Sequence, residues 1–124
     1  MKIALAQINQ TVGDFQNNIE KICSYIDRAR SQNADLVVFP ELAITGYPPK
    51  DFLDIPAFVD ENLKALEKIT CSVSGISAII GFVDKNKRPH GKRVQNAAAF
   101  IQDQKIVSIH HKSLLPTYDV FDEC

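Results

Sequence analysis

Apolar positions along this chain follow two periods, and the alternation between them sets out a β-α-β start, a second helix and then a run of strands. Lys2 to Ile8 is nearly continuously apolar, which suits a short strand in a sheet covered on both faces. After the turn-forming Thr11-Val12-Gly13-Asp14, apolar residues recur at Ile19, Ile22, Cys23, Ile26 and Ala29, spacings of three and four that put them on one side of a helix. Asp14 or a neighbouring Asn is suited to cap that helix, and Glu20, Lys21, Asp27, Arg28 and Arg30 take its wet side. Ser31-Gln32-Asn33 ends it, and Asp35 leads into Leu36-Val37-Val38-Phe39, a β-branched and aromatic run whose hydrogen-bond ladder Pro40 stops. Residues 2–39 therefore predict two parallel strands joined by a helix, with the usual right-handed crossover.

Further along, Asp54 can cap and Pro56 can start a second helix, with Phe58, Val59, Leu63, Leu66 and Ile69 as its buried stripe. The segment Ser72 to Ser77, with Gly75, breaks it. Ala78–Val83, Val94–Ile101 and Ile106–His111 then read as strands separated by turns at Asp84–Gly91 and Gln102–Gln104, an antiparallel meander. A parallel start and an antiparallel continuation make the expected architecture α/β with a mixed sheet.

Composition narrows the classes. A chain of 124 residues suits one domain with a real core, and 45% hydrophobic with 23% charged residues is the balance of an ordinary globular protein. Fourteen Lys and Arg against fifteen Asp and Glu leave a net charge of -1, so no long-range field points to nucleic acid or an anionic membrane. The basic run from Lys85 to Arg93 reads as a solvated hairpin tip. No apolar stretch approaches the roughly 20 residues of a membrane span, and Met1-Lys2-Ile3 enters a strand without a signal-peptide pattern, so a cytoplasmic location is expected. Cys23, Cys71 and Cys124 are odd in number and show no CxxC spacing, which argues against a disulfide framework and a zinc site. Cys23 and Cys71 read as small buried thiols. Adjacent strand residues point to opposite faces, so His110 and His111 cannot chelate one metal together, and His90 reads as an exposed turn residue. No metal site is expected.

The candidate chemistry sits at two strand ends. Glu41 follows Pro40 directly, at the edge where open α/β folds place their chemistry, and Thr45-Gly46-Tyr47-Pro48-Pro49 makes the next turn rigid. Taken alone, a carboxylate there reads sooner as a solvated strand end than as a catalytic group, since charged residues at strand ends are common. Phe39-Pro40-Glu41 with Thr45-Gly46-Tyr47, however, resembles the first catalytic motif of the nitrilase, or carbon–nitrogen hydrolase, superfamily. Lys112, also just past a strand, opens Lys112-Ser113-Leu114-Leu115-Pro116-Thr117-Tyr118-Asp119-Val120-Phe121-Asp122-Glu123, which resembles that superfamily's lysine motif. Both this run and Tyr47-Pro48-Pro49-Lys50-Asp51-Phe52-Leu53 are similar to the glutamine-hydrolysing domain of the glutamine-dependent NAD synthetases.

The resemblance implies a nitrilase-like α-β-β-α sandwich of which residues 1–124 form the N-terminal part, ending before the family's nucleophilic Cys. It implies that Glu41 carries a proton, that Lys112 stays cationic beside the oxyanion, that Glu123 is an accessory acid, and that Tyr47 and Tyr118 shape a glutamine pocket; aromatic packing is the alternative for both tyrosines. The residue types suit amide cleavage, which needs a nucleophile, a proton carrier and an oxyanion partner. A Cys thiol, ordinarily near a pKa of about 8.5, serves as the nucleophile when a cation stands nearby, and a partly buried position would suit Glu41 to proton transfer. Cys124 is in the wrong motif and is followed by no backbone N–H groups that could form an oxyanion hole. The chain alone is thus expected to be inactive. The implied partners are glutamine and a synthetase domain absent from this chain, where ATP and Mg would serve amidation of the acid dinucleotide to NAD; no cofactor is expected here. Alternatives are another amidase or nitrilase of the superfamily, or a non-catalytic association module. A half sandwich would also expose apolar surface, which would favour a homo-oligomer.

Overall fold

The computed structural model describes residues 1–87 and 93–112. Five strands form one sheet in the order β1-β2-β3-β4-β5: β1 (Ile3–Leu5), β2 (Leu36–Val38), β3 (Ser77–Lys85), β4 (Val94–Gln102) and β5 (Lys105–His111). The first three are parallel and the last two antiparallel, with a register irregularity at Phe100/Ile101. The mixed sheet is as the sequence predicts. β1 and β2 are shorter than their apolar runs, although Ala6 N–H still donates to Val38 O (2.9 Å) and Phe39 N–H to Ile79 O (2.9 Å) beyond the formal strand ends.

Two helices, α1 (Phe15–Ser31) and α2 (Pro56–Thr70), lie against one face. Asp14 caps α1, its side chain accepting from Asn17 N, and Ile22, Ile26 and Ala29 are buried as their spacing requires. The cap of α2 differs from expectation. Ile55, not Asp54, precedes Pro56, and no side chain bonds the free N–H groups there, because a short 3₁₀ helix at Lys50–Asp54 takes up the preceding residues. Buried in α2 beside Phe58, Val59, Leu66 and Ile69 is Asn62. Its side chain replaces a missing rung at β3, donating to Val83 O (2.5 Å) and accepting from Val83 N–H (3.0 Å).

The thiols also depart from expectation. Cys71 is exposed, because it stands at the C-terminal cap of α2 rather than on its buried stripe. Cys23 is half-buried, with Sγ 3.5 Å from Ser72 Oγ.

Among the described residues no helix lies on the opposite face of the sheet. By register, Ile3 with Leu36, Leu5 with Val38, Ile79 and Phe100, and Gly81 with Ala98 line it, and Ile3 and Leu5 are 52% and 69% exposed. The apolar surface anticipated for half a sandwich is present. Among the described residues no helix is long and apolar enough to cross a membrane.

Candidate active site

The ends of β2 and β5 converge above that open face. After Phe39 the chain leaves the sheet and bends over β3, and the bend is buried although it is irregular: Leu42, Ala43, Ile44 and Thr45 are 0–1% exposed. Buried backbone must find partners, and here it does. Ile44 N–H donates to Gly81 O (3.3 Å), Gly46 N–H to Leu42 O (2.9 Å) and Gly13 N–H to Thr45 O (3.0 Å). Asn18, wholly buried on α1, donates to Thr11 O (2.8 Å) and Ile44 O (3.0 Å), and Gln10 Nε2 donates to Ala43 O (2.7 Å). Gly46, at φ +81°, has the αL conformation a side chain would oppose, and a Cβ there would stand 2.8 Å from Val12 N.

The bend also needs Gly81. A Cβ on that residue would lie 2.5 Å from Leu42 N and 2.8 Å from Pro40 O, so only glycine in β3 lets the chain carrying Glu41 cross so closely. Rigid backbone thus delivers Glu41, whose side chain is 45% exposed.

Lys112 arrives from the other side. Its N–H donates to Asn96 O (2.9 Å), adding one rung to the β4–β5 ladder beyond Ala97 and His111, and its Nζ donates to Glu41 Oε1 at 3.1 Å across 71 residues of sequence. The same Oε1 accepts from Nδ2 of Asn96, a residue of β4 opposite Val83 that is only 4% exposed. Ile79, Gly81 and Ala98 line the cleft beside the pair. An ion pair with both side chains more than 40% exposed is worth about 0–1 kcal/mol, too little to draw two distant segments together. The buried framework brings them together, and the cleft receives a carboxylate and an ammonium side by side.

The sequence candidates divide accordingly. Glu41 and Lys112 meet. Tyr47 is half-exposed six positions along the bend and is not among the described residues lining the cleft. Tyr118, Glu123 and Cys124 lie outside the described residues, as do most of the lysine motif and His90. His110 lines the cleft, with Nε2 3.1 Å from Ser108 Oγ, whereas His111 Nε2 pairs with Asp84 Oδ2 at 2.9 Å. No group of three His, Cys, Asp or Glu among the described residues is placed to hold a metal ion. Asn96 was missed. Asn is disfavoured within strands, a weak signal, and the burial that makes its amide demand a partner is visible only in the fold.

The chain is 38% identical over 125 residues to the glutamine-dependent NAD(+) synthetase of Thermotoga maritima, covering 99% of this chain and 21% of that protein. It is 42% identical over 125 residues to the enzyme of that name from Synechocystis, covering 98% and 22%. The glutamine-dependent NAD+ synthetase of Acinetobacter baumannii, solved with adenosine diphosphate, superposes with a TM-score of 0.85 at 33% identity over 97% of this chain and 22% of that one. An amidase from Nesterenkonia, at 24% identity and TM-score 0.77 over 94% of this chain and 44% of its own, shares the fold. The chain thus spans about a fifth of the length of the synthetases it matches, corresponding to their N-terminal part. Over residues 2–123 it matches the model of one family, and with that match the chain belongs to the carbon-nitrogen hydrolases.

Proposed function

We propose that this chain provides the acid–base and cationic part of a glutamine-hydrolysing centre, as the N-terminal portion of the glutaminase domain of a glutamine-dependent NAD synthetase. The observation that carries the reading is the bond from Lys112 Nζ to Glu41 Oε1, formed in a carbon-nitrogen hydrolase between two residues that stand just past two strand ends and line one cleft.

The nucleophile in this reading is a Cys supplied by sequence beyond residue 124. Its sulfur attacks the side-chain amide carbon of glutamine while Glu41 takes the thiol proton. The ammonium of Lys112 stabilises the negative charge that gathers on the amide oxygen. Collapse breaks the C–N bond; Glu41 returns its proton to the departing nitrogen, and ammonia leaves a thioester behind. Water then cleaves the thioester to glutamate with Glu41 as base. Glu123 assists as the accessory acid, and Tyr47 and Tyr118 shape the glutamine site. The ammonia goes to a synthetase domain that uses ATP and Mg to amidate the acid dinucleotide to NAD. Passing it between domains suits its chemistry, because free ammonia near pH 7 is mostly protonated and no longer nucleophilic.

Ammonia release from glutamine, compared with aliphatic amides and nitriles, tests the substrate class in the full-length gene product. Turnover of glutamine well above the others is expected. Faster turnover of a simple aliphatic amide would assign the site to another branch of the family.

A further inference from the structure

We infer that Asn96 is the positioning residue of this site, fixing the carboxylate of Glu41 so that its Oε2 is the oxygen that carries the proton. The inference rests on the reading of Glu41 as the proton carrier. Three observations lead to it. Asn96 is 4% exposed, so its amide is held by its surroundings and, unlike a surface side chain, has lost its freedom before any substrate arrives. Its Nδ2 donates to Glu41 Oε1, which accepts from Lys112 Nζ as well, so both described donors saturate one oxygen. And its carbonyl accepts the Lys112 N–H at 2.9 Å, so the same residue locates the backbone of the cation and the carboxylate facing it.

The consequence is directional. An oxygen already accepting from an amide and an ammonium is a poor proton acceptor, because binding a proton there would bring three hydrogens to one atom and oppose the two donors. Oε2 is left as the basic oxygen. Without Asn96, Glu41 would be held, among the described residues, only by an ion pair with both partners more than 40% exposed, and a half-exposed carboxylate rotates readily between rotamers. Misplacement of a catalytic group by about 1 Å costs about 10²-fold in rate.

The test uses the full-length gene product. Asn96→Asp keeps the shape and replaces the donor with an acceptor. It is expected to lower kcat for glutamine about 10²-fold with KM essentially unchanged, because Asn96 touches Glu41 and not the substrate. Asn96→Ser, which keeps one hydroxyl donor in a smaller side chain, is expected to fall between Asp and the wild type, and decides the matter if the Asp variant does not fold. Independently of turnover, the side-chain amide of Asn96, followed by NMR after selective ¹⁵N-Asn labelling, is expected to shift upfield in Glu41→Ala, a surface change that leaves the sheet intact. A folded Asn96→Asp protein with wild-type kcat, a loss confined to KM, or an Asn96 amide indifferent to Glu41→Ala would each overturn the inference. A wild-type protein that hydrolyses no amide would instead sink the reading of the site, and the NMR comparison would still decide whether Asn96 holds Glu41.

Discussion

At the scale of single residues, the account turns on Glu41 and Lys112 doing different work although they touch. Under the proposed function Glu41 moves a proton and Lys112 holds a charge, so each can be removed with a distinct signature. Glu41→Gln keeps the size and the hydrogen-bond acceptor but cannot take a proton, and in the full-length gene product it is expected to lower glutamine turnover by about 10²- to 10⁴-fold. Lys112→Ala removes the charge facing the oxyanion and is expected to cost about 10²- to 10³-fold in kcat. Neither change should lower the unfolding midpoint by much, since the exposed pair contributes at most about 1 kcal/mol. Steady-state kinetics beside urea unfolding separates the two effects, and a large stability loss without a kinetic one would assign the pair a structural role. Both residues were legible as candidates at the ends of predicted strands, through the resemblance of their motifs to those of the carbon–nitrogen hydrolases. Asn96 was not, because a strand position tells which face a side chain takes but not what a chain 55 residues away brings to meet it.

At the scale of elements, the site depends on a bend that looks like a loop and is packed like a core. Its buried residues hang on β3 and α1 through Gly81, Asn18 and Gln10. Gly81→Ala would push a methyl group into the backbone of Pro40 and Leu42, atoms that cannot rotate aside, and is expected to destabilise by about 1–3 kcal/mol while lowering kcat by displacing Glu41. A Gly81→Ala protein with unaltered unfolding and kinetics would show that the bend is free to lift off β3. Asn62→Leu is the matching test for the docking of α2. It would strand the N–H and C=O of Val83, now held at 3.0 and 2.5 Å, and is expected to cost about 1–3 kcal/mol, read as a lower urea midpoint; a neutral result would mean that packing of the apolar stripe alone seats the helix. Apolar runs bounded by turn residues and the helical spacing of about 3.6 placed the five strands and two helices of the described residues, and Gly75, Asp103 and Gln104, each with positive φ, made the turns their positions called for. The 3₁₀ helix at Lys50–Asp54 and the unassisted start of α2 escaped, since five residues carry too little periodicity to register and the strong capping preference of Asp54 was overridden by the geometry before it.

At the scale of the whole molecule, two helices cover one face of the sheet and an apolar strip including Ile3, Leu5, Val38 and Phe100 is left on the other. The candidate site stands at the rim of that face, in a chain that spans about a fifth of the length of the synthetases it matches. Its architecture was legible because a mixed α/β sheet announces itself in the order of its periods; how Tyr118, Glu123 and Cys124 stand to the site is not settled by it, because they lie outside the described residues. The most direct measurement is ammonia release from glutamine by the purified 124-residue chain and by the product of the gene read past codon 124. The account predicts none from the 124-residue chain, and turnover by the longer product that Glu41→Gln abolishes. Glutamine-dependent ammonia from the 124-residue chain that disappears in Cys124→Ala, or a longer product indifferent to Glu41→Gln, would contradict it.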